Sequence, residues 1–483
     1  MRRIGQGNLG DLALLSPNDM VELHGTMNLN YAVGLSGLTF TSDPTDPAIL
    51  DGQGAITNAF RYNGGDGLNL LGLTVQNYFP GQQRGAVQGA SGDNKTLSKN
   101  WLIEDCDISR QVGIGNGGNN GGGYGLRTGD GMIVRRTHLN DNPNLGFGGA
   151  GLNVLMEDVE LARNNWQGSP TNEEIEASLI ARAPLPTTSN SFWEGGGNKT
   201  AQSTGFRAHR VHAHHNGGVG FWLDISNSGA LVTDLTSEWN KDSGYSSELG
   251  DAAELAFATL RYNGLGDLRG WVWGAQLVLQ NVQGNLAHHI LAVVHPNGGH
   301  GIIQVHQNRG WDAAQNAVRF SAIVYEGTAG NHGWVDDVAG NVEVPLIWER
   351  VDADPTHATS KPLIPGGPGP MLSEVGARSL PNFTRPVPPP IVIPPEPTDE
   401  WEAHVAAADD RLAEGIAALE AAQTELVIAR LKMDDLHLLA ITPVAPPPFD
   451  AVNATDAELV TEGNRLDALT DAVRAEKDAR IAT

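Results

Sequence analysis

A recurring asparagine constrains this chain more than any other feature. The stretches "LMEDVELARNN", "RAHRVHAHHN", "LVTDLTSEWN" and "LAFATLRYN" each alternate apolar and polar residues, then reach Asn164, Asn216, Asn240 and Asn263. Asn142 in "IVRRTHLNDN" precedes the set and Asn285 in "LVLQNVQGN" follows it, giving spacings of 22, 52, 24, 23 and 22 residues. Period-2 alternation over short runs predicts strands with one buried face. A repeat near 22 residues is too short for a helical hairpin or a propeller blade, which take roughly 34 to 45. It also lacks the L-x-x-L-x-L-x-x-N pattern of leucine-rich repeats. The fold class left is mainly β: a right-handed, single-stranded parallel β-helix with one coil per repeat. Each Asn would stack on its equivalents at a corner, amide bonded to amide.

Composition agrees. The 483 residues include 60 glycines with no G-X-Y period, which excludes collagen and suits many short strands joined by tight turns. Further coils are expected in "LSPNDMVELHG", "VGLSGLTFTSD", "LNLLGLTVQNY" and "AVRFSAIVYEG", so the β-helix is assigned to residues 1–350. The proline-rich runs "PLIPGGPGPM" and "RPVPPPIVIPPEP" make 351–397 a linker of extended polyproline character. Residues 398–483 read as a C-terminal α-helical hairpin or coiled coil. Val405, Leu412, Leu419, Leu426 and Met433 recur every seven residues, and Leu459, Leu466 and Val473 do so after a second proline cluster.

A net charge of −25 argues against sequence-independent nucleic-acid binding. The sole cysteine, Cys106, excludes an intramolecular disulfide and reads as a small core residue. Neither a signal peptide nor a transmembrane segment is expected from "MRRIGQGNLGDLALL" and the remaining apolar runs.

The register of the repeat selects candidate site residues. Counting from Asn216 and Asn240 aligns Phe221 with Tyr245, Trp222 with Ser246, and Asp224 with Glu248. With the aromatics inward, Trp222, Asp224, Ser246 and Glu248 face outward. Coils ~4.8 Å apart would make Asp224 and Glu248 neighbours, with one pKa raised. Such a pair suits general acid and nucleophile roles, or calcium ligation, or simply a solvated acidic face. His214, Glu238 and Arg261 form a second column, in which charge alternation is ordinary cross-strand pairing and His214 is also a candidate acid or base. His212 and His214 alternate in "HAHH", but no third metal ligand follows from the sequence. The 52-residue interval holds two coils, or one coil and an excursion with a short helix around Thr171–Arg182. It delivers Trp193, Glu194 and Lys199 beside the coil of His214 and Asp224. The candidate catalytic residues are therefore Asp224, Glu248, Glu194 and His214; Trp193, Trp222 and Lys199 are candidates for sugar binding.

These segments resemble right-handed β-helix proteins of the pectate-lyase-like superfamily from bacteria and phages. One branch carries W-E-x-G-G-x-K, then H-x-N-x-G-x-G-L-W-x-D, then N-x-G-x-G-I-x-x-E. Trp193, Glu194, Gly196, Gly197 and Lys199 match the first; His214, Asn216, Gly220, Trp222 and Asp224 the second; Asn240, Gly244 and Glu248 the third. The match covers about residues 140–290. Ser247 replaces the histidine usual before the Glu, and the pectate-lyase calcium and arginine signature is not evident. The resemblance implies a polysaccharide-related role. With the arginine-rich composition and helical tail it looks like a minor tail protein of a phage with a high-GC host, located in the virion tail. Implied partners are host cell-surface polysaccharide and other tail proteins, the latter through the C-terminal helices, with self-association into a homo-oligomer such as a trimer. Binding with or without cleavage by a lyase or hydrolase, a purely structural virion role, and a bacterial polysaccharide lyase or epimerase are the readings in play.

Overall fold

Alternation in the sequence becomes parallel pairing in space. The computed structural model describes residues 2–113, 123–182, 195–266, 274–306, 316–325, 335–339, 347–353 and 377–383. Among them, an eleven-stranded sheet runs from Tyr31–Val33 to Val335–Ala339, each strand bonded to its equivalent one coil on. A nineteen-stranded sheet completes the coils. The expected strands are present in all four outlying stretches, as Met20–Leu23, Thr39–Ser42, Asn69–Leu71 with Thr74–Gln76, and Ala317–Tyr325. Strands extend from Arg2–Ile4 to Ile347–Ala353, and these described residues form a parallel β-helix. The chain divides between Pro386 and Val387. The expected C-terminal helices and most of the proline-rich linker lie outside the described residues.

From Asp105 to Phe257 one corner uses residues other than glycine. The long strands Ile133–His138, Leu155–Ala162, Arg207–His214 and Leu231–Glu238 each bend at a residue of positive φ: Arg136, Asp158, Arg210 and Asp234, at 46°, 54°, 50° and 54°. This conformation costs a side-chain-bearing residue roughly 1–2 kcal/mol. The side chains compensate by pairing up the column. Arg136 Nε donates to Asp105 Oδ1 at 2.7 Å, and Arg210 holds both oxygens of Asp158 at 2.6 and 2.8 Å. One coil beyond Asp234 the corner residue is Phe257, so the alternation of acid and base ends. The next arginine comes from a distant part of the chain. Arg378 pairs with both Asp234 oxygens (2.8 and 2.6 Å) and lies 3.9 Å from the Phe257 ring centroid.

The asparagine column is continuous. Asn142 donates its backbone N–H and side-chain amide to Asn164 Oδ1, and Asn164 does the same to Asn216 Oδ1. Asn216 likewise serves Asn240, and Asn240 serves Asn263. The column does not continue to Asn285, contrary to the spacing. Its next acceptor is Gln276 Oε1, at 3.1 and 2.9 Å from Asn263. Asn285 instead joins a separate column, donating its N–H to Asn316 and its amide to Ser247 Oγ. A glutamine reaches the same place from the neighbouring strand, so the spacing alone misassigned this rung.

Glycine is required where strands cross these amides. A Cβ on Gly220 would meet Ser237 Oγ at 2.3 Å and Asn240 Nδ2 at 2.5 Å; one on Gly197 would meet the Gly220 carbonyl at 2.4 Å. The direct Asn164–Asn216 bond, and the pairing of Leu155–Ala162 with Arg207–His214, resolve the long interval as one coil plus an excursion. The described residues of that excursion include an α-helix, α1 (Asn172–Ala181), within the expected span. Thr171 caps it and Glu174 closes the capping box. Ile175 and Leu179 bury its inner face with Trp166, Trp239 and Leu265. The interior of the β-helix is a stack of apolar side chains, including Phe147, Phe206, Phe221 and Tyr245 with successive ring centroids 6.3, 6.1 and 6.1 Å apart. Cys106 lies in that core, its thiol pushed up to about 12 by burial.

Candidate functional site

Sheet register builds the first constellation. Lys199 pairs with Trp222, Trp222 with Ser246, and Phe221 with Tyr245. Leu223 pairs with Ser247, so Asp224 and Glu248 follow at the same level on successive coils. Alternation turns Lys199, Trp222, Asp224 and Glu248 away from the Phe221–Tyr245 stack. Lys199 Nζ lies 3.0 Å from Asp224 Oδ2 and 4.1 Å from the Trp222 ring centroid. Glu248 Oε1 accepts from Gln280 Nε2 at 3.2 Å.

Of the alternatives for this face, a solvated acidic surface does not match its burial. Lys199, Trp222, Asp224 and Glu248 are 7%, 4%, 7% and 7% exposed. Lys199 brings Asp224 the positive charge that a calcium ion or a shared proton would otherwise supply, and its ammonium lies over the indole face. The Trp222 indole N–H is buried with no hydrogen-bond partner among the described residues. Trp193 and Glu194 lie outside the described residues.

A second constellation surrounds His214. It pairs in register with Ala162 and Glu238, and Glu238 with Arg261, as the spacing predicts. Its side chain turns elsewhere. His214 Nε2 lies 3.2 Å from Glu160 Oε1, and its Nδ1 lies 2.8 Å from His215 Nδ1. His215 Nε2 is in turn 3.0 Å from Glu176 Oε1, on α1. His138 Nδ1 contacts Glu160 Oε2 at 2.8 Å, and Asn140 donates to the same oxygen. His212 Nε2 sits 3.0 Å from Glu238 Oε1, and Arg261 holds the other oxygen of that carboxylate. Burial and the neighbouring imidazoles lower His214 to about 4, against the pull of Glu160, and burial likewise lowers His215. The Glu238 carboxyl goes down to about 2 despite its burial, because His212 and Arg261 hold it.

Glu160, His138, His215 and Glu176 were not among the sequence candidates. Three of the column's residues are nevertheless set by the same repeat. His138, Glu160 and His212 each stand four residues before Asn142, Asn164 and Asn216, and they pair across the sheet. Glu176 comes from the excursion, whose register no repeat constrains.

These features define a parallel β-helix with a buried lysine–tryptophan–acid column on one sheet and a histidine–glutamate cluster on the other. No family model matches the sequence, and no curated protein does. Among solved structures the chain is similar to the Dettilon tailspike protein (11% identity over 78% of this chain and 59% of that one, TM-score 0.41). It is also similar to the A-module of a mannuronan C-5 epimerase of Azotobacter vinelandii (10%, 73% and 88%, 0.42). A third similarity is to a PL6 alginate lyase in complex with a trisaccharide (11%, 79% and 94%, 0.41). The chain thus spans about three-fifths of the tailspike's length. Among the described residues no helix is long and apolar enough to cross a membrane.

Proposed function

We propose that this protein is a virion tail component whose β-helix binds host cell-surface polysaccharide. The observation that carries the reading is the side-by-side placement of Lys199, Trp222, Asp224 and Glu248 on one sheet face. An indole beside charged hydrogen-bonding groups suits a sugar, whose ring has an apolar face and a hydroxylated edge. The geometry favours binding over cleavage, because Asp224 is engaged by Lys199 and Glu248 by Gln280. General acid catalysis needs a carboxyl held protonated near the scissile oxygen.

Incubating the protein with isolated host-envelope polysaccharide tests both halves. Retention on the polysaccharide, weakened in Trp222→Phe at an unchanged melting temperature, is the expected result, without release of oligosaccharide. Release that disappears in Glu248→Gln would restore a catalytic role. The burial of all four side chains favours a second reading, a structural column in a virion component that binds no glycan. Absence of retention, with normal incorporation into particles, would establish that one.

A further inference from the structure

The contacts around His214 are short of hydrogens. Glu160, His214, His215 and Glu176 form a chain of three contacts, at 3.2, 2.8 and 3.0 Å. A carboxylate only accepts, and a neutral imidazole carries one N–H. Two neutral rings therefore supply two hydrogens for three contacts. If His215 donates to Glu176 and His214 donates to His215, then His214 Nε2 presents a lone pair to Glu160 Oε1. Two acceptors 3.2 Å apart repel unless a positive charge lies between them. His214 is buried and Glu160 half-buried, with side-chain exposures of 7% and 23%, so little water reaches the histidine side of the contact. With Glu176 accepting from His215 at the more exposed end of the chain, the missing hydrogen falls at Glu160.

A third ligand stands at the place where the deficit falls. Glu160, His212 and His214 each offer one atom, and these atoms lie within 4.8 Å of one another. The rings of His212 and His214 are 4.1 Å apart between centroids. The geometry points to a divalent transition-metal site, of the zinc class, formed by Glu160, His212 and His214. Two imidazoles and one carboxylate suit zinc, leaving a fourth position open. The outer contacts have the form such sites use. His214 gives its other N–H to His215, itself oriented by Glu176 on α1, and coordination through His212 Nδ1 leaves its Nε2–H donating to Glu238. His138 and Asn140 hold the second Glu160 oxygen.

The chain offers its own control. His288 and His289 form a similar doublet, Nδ1 to Nδ1 at 2.7 Å, with Glu254 3.0 Å from His288 Nε2. Among the described residues no three-ligand group forms there.

The test uses the full chain, stripped with a chelator and titrated with zinc against a chromogenic competitor, then with cobalt to read coordination by visible absorption. One zinc per chain is expected, with the intense cobalt bands of a tetrahedral site. His212→Asn and Glu160→Gln should each weaken zinc at least about 100-fold, His215→Asn about 10-fold, and His288→Asn not at all. Near-UV circular dichroism of each variant separates ligand loss from unfolding. If both ligand variants fail to fold, the cobalt spectrum of the unaltered chain decides. Less than one zinc per chain, an octahedral cobalt spectrum, or folded ligand variants that bind as tightly as the parent would overturn the site.

Discussion

Asn216 directs two donors, its backbone N–H and its side-chain amide, at the single acceptor Asn240 Oδ1, over 3.1 and 2.8 Å. Both residues are fully buried. Removing the acceptor therefore strands a backbone and a side-chain donor together. Asn240→Ala should cost about 2–5 kcal/mol, since each buried donor left unmade costs roughly 1–3. Denaturant unfolding followed by circular dichroism measures it. A loss under about 1 kcal/mol would mean that water enters the column.

Gly220→Ala should destabilise by about 1–3 kcal/mol, because its Cβ would press on Ser237 Oγ and the Asn240 amide. A Cβ on Gly7 would meet no atom within 4 Å, and the backbone there has no positive φ. Gly7→Ala should leave the unfolding midpoint unchanged, and comparing the two midpoints checks the assignment.

Lys199→Met leaves Asp224 buried without its cation, an arrangement that typically costs about 3–5 kcal/mol. Lys199→Met with Asp224→Asn should recover a large part of that loss. A double-mutant cycle on thermal stability reads the coupling, and additive losses would show that the pair acts independently.

Acid should loosen the 377–383 segment. Burial raises the Asp234 carboxyl, but hydrogen bonds and charge from Arg378, with a smaller part from His209, outweigh it and leave the pKa below its ordinary value. A depressed carboxyl stabilises the folded contact above its unfolded pKa, near about 4, and that contribution disappears as pH falls through the folded value. Protease protection of residues 377–383 should hold from neutral pH to about 4 and decline below it. Arg378→Ala should remove the protection at every pH.

The fold was legible because the repeat carries it. Asn164, Asn216, Asn240 and Asn263 sit one per coil, and their alternating flanks gave strands, inward faces and the Trp222–Ser246 register. Asn285 misled because a column needs an amide in a place, and Gln276 supplies one from another strand. The candidate site was half legible. Register placed Trp222, Asp224 and Glu248 together and the excursion brought Lys199 beside them, but their burial and the contacts of Asp224 with Lys199 and Glu248 with Gln280 depend on side-chain reach, which spacing does not encode. The histidine cluster was hidden for a different reason. His214, Glu238 and Arg261 stand two residues before their asparagines, whereas His138, Glu160 and His212 stand four before, and the His214 ring crosses from one column to the other.

The seven residues from Ala377 to Phe383 lie across several coils in descending order. Ala377 bonds Thr259, Arg378 holds Asp234, Asn382 bonds Asp158, and Phe383 stacks on His138 with centroids 4.2 Å apart. A pull on the chain beyond Phe383 is therefore delivered to the middle of the solenoid and not to its last coil. The load falls in shear on several contacts at once, where peeling from the end would break them singly. Tension on the chain there would be borne by coils whose long strands pair along most of their length, such as Leu155–Ala162, Arg207–His214 and Leu231–Glu238, sparing the terminal coils from unwinding.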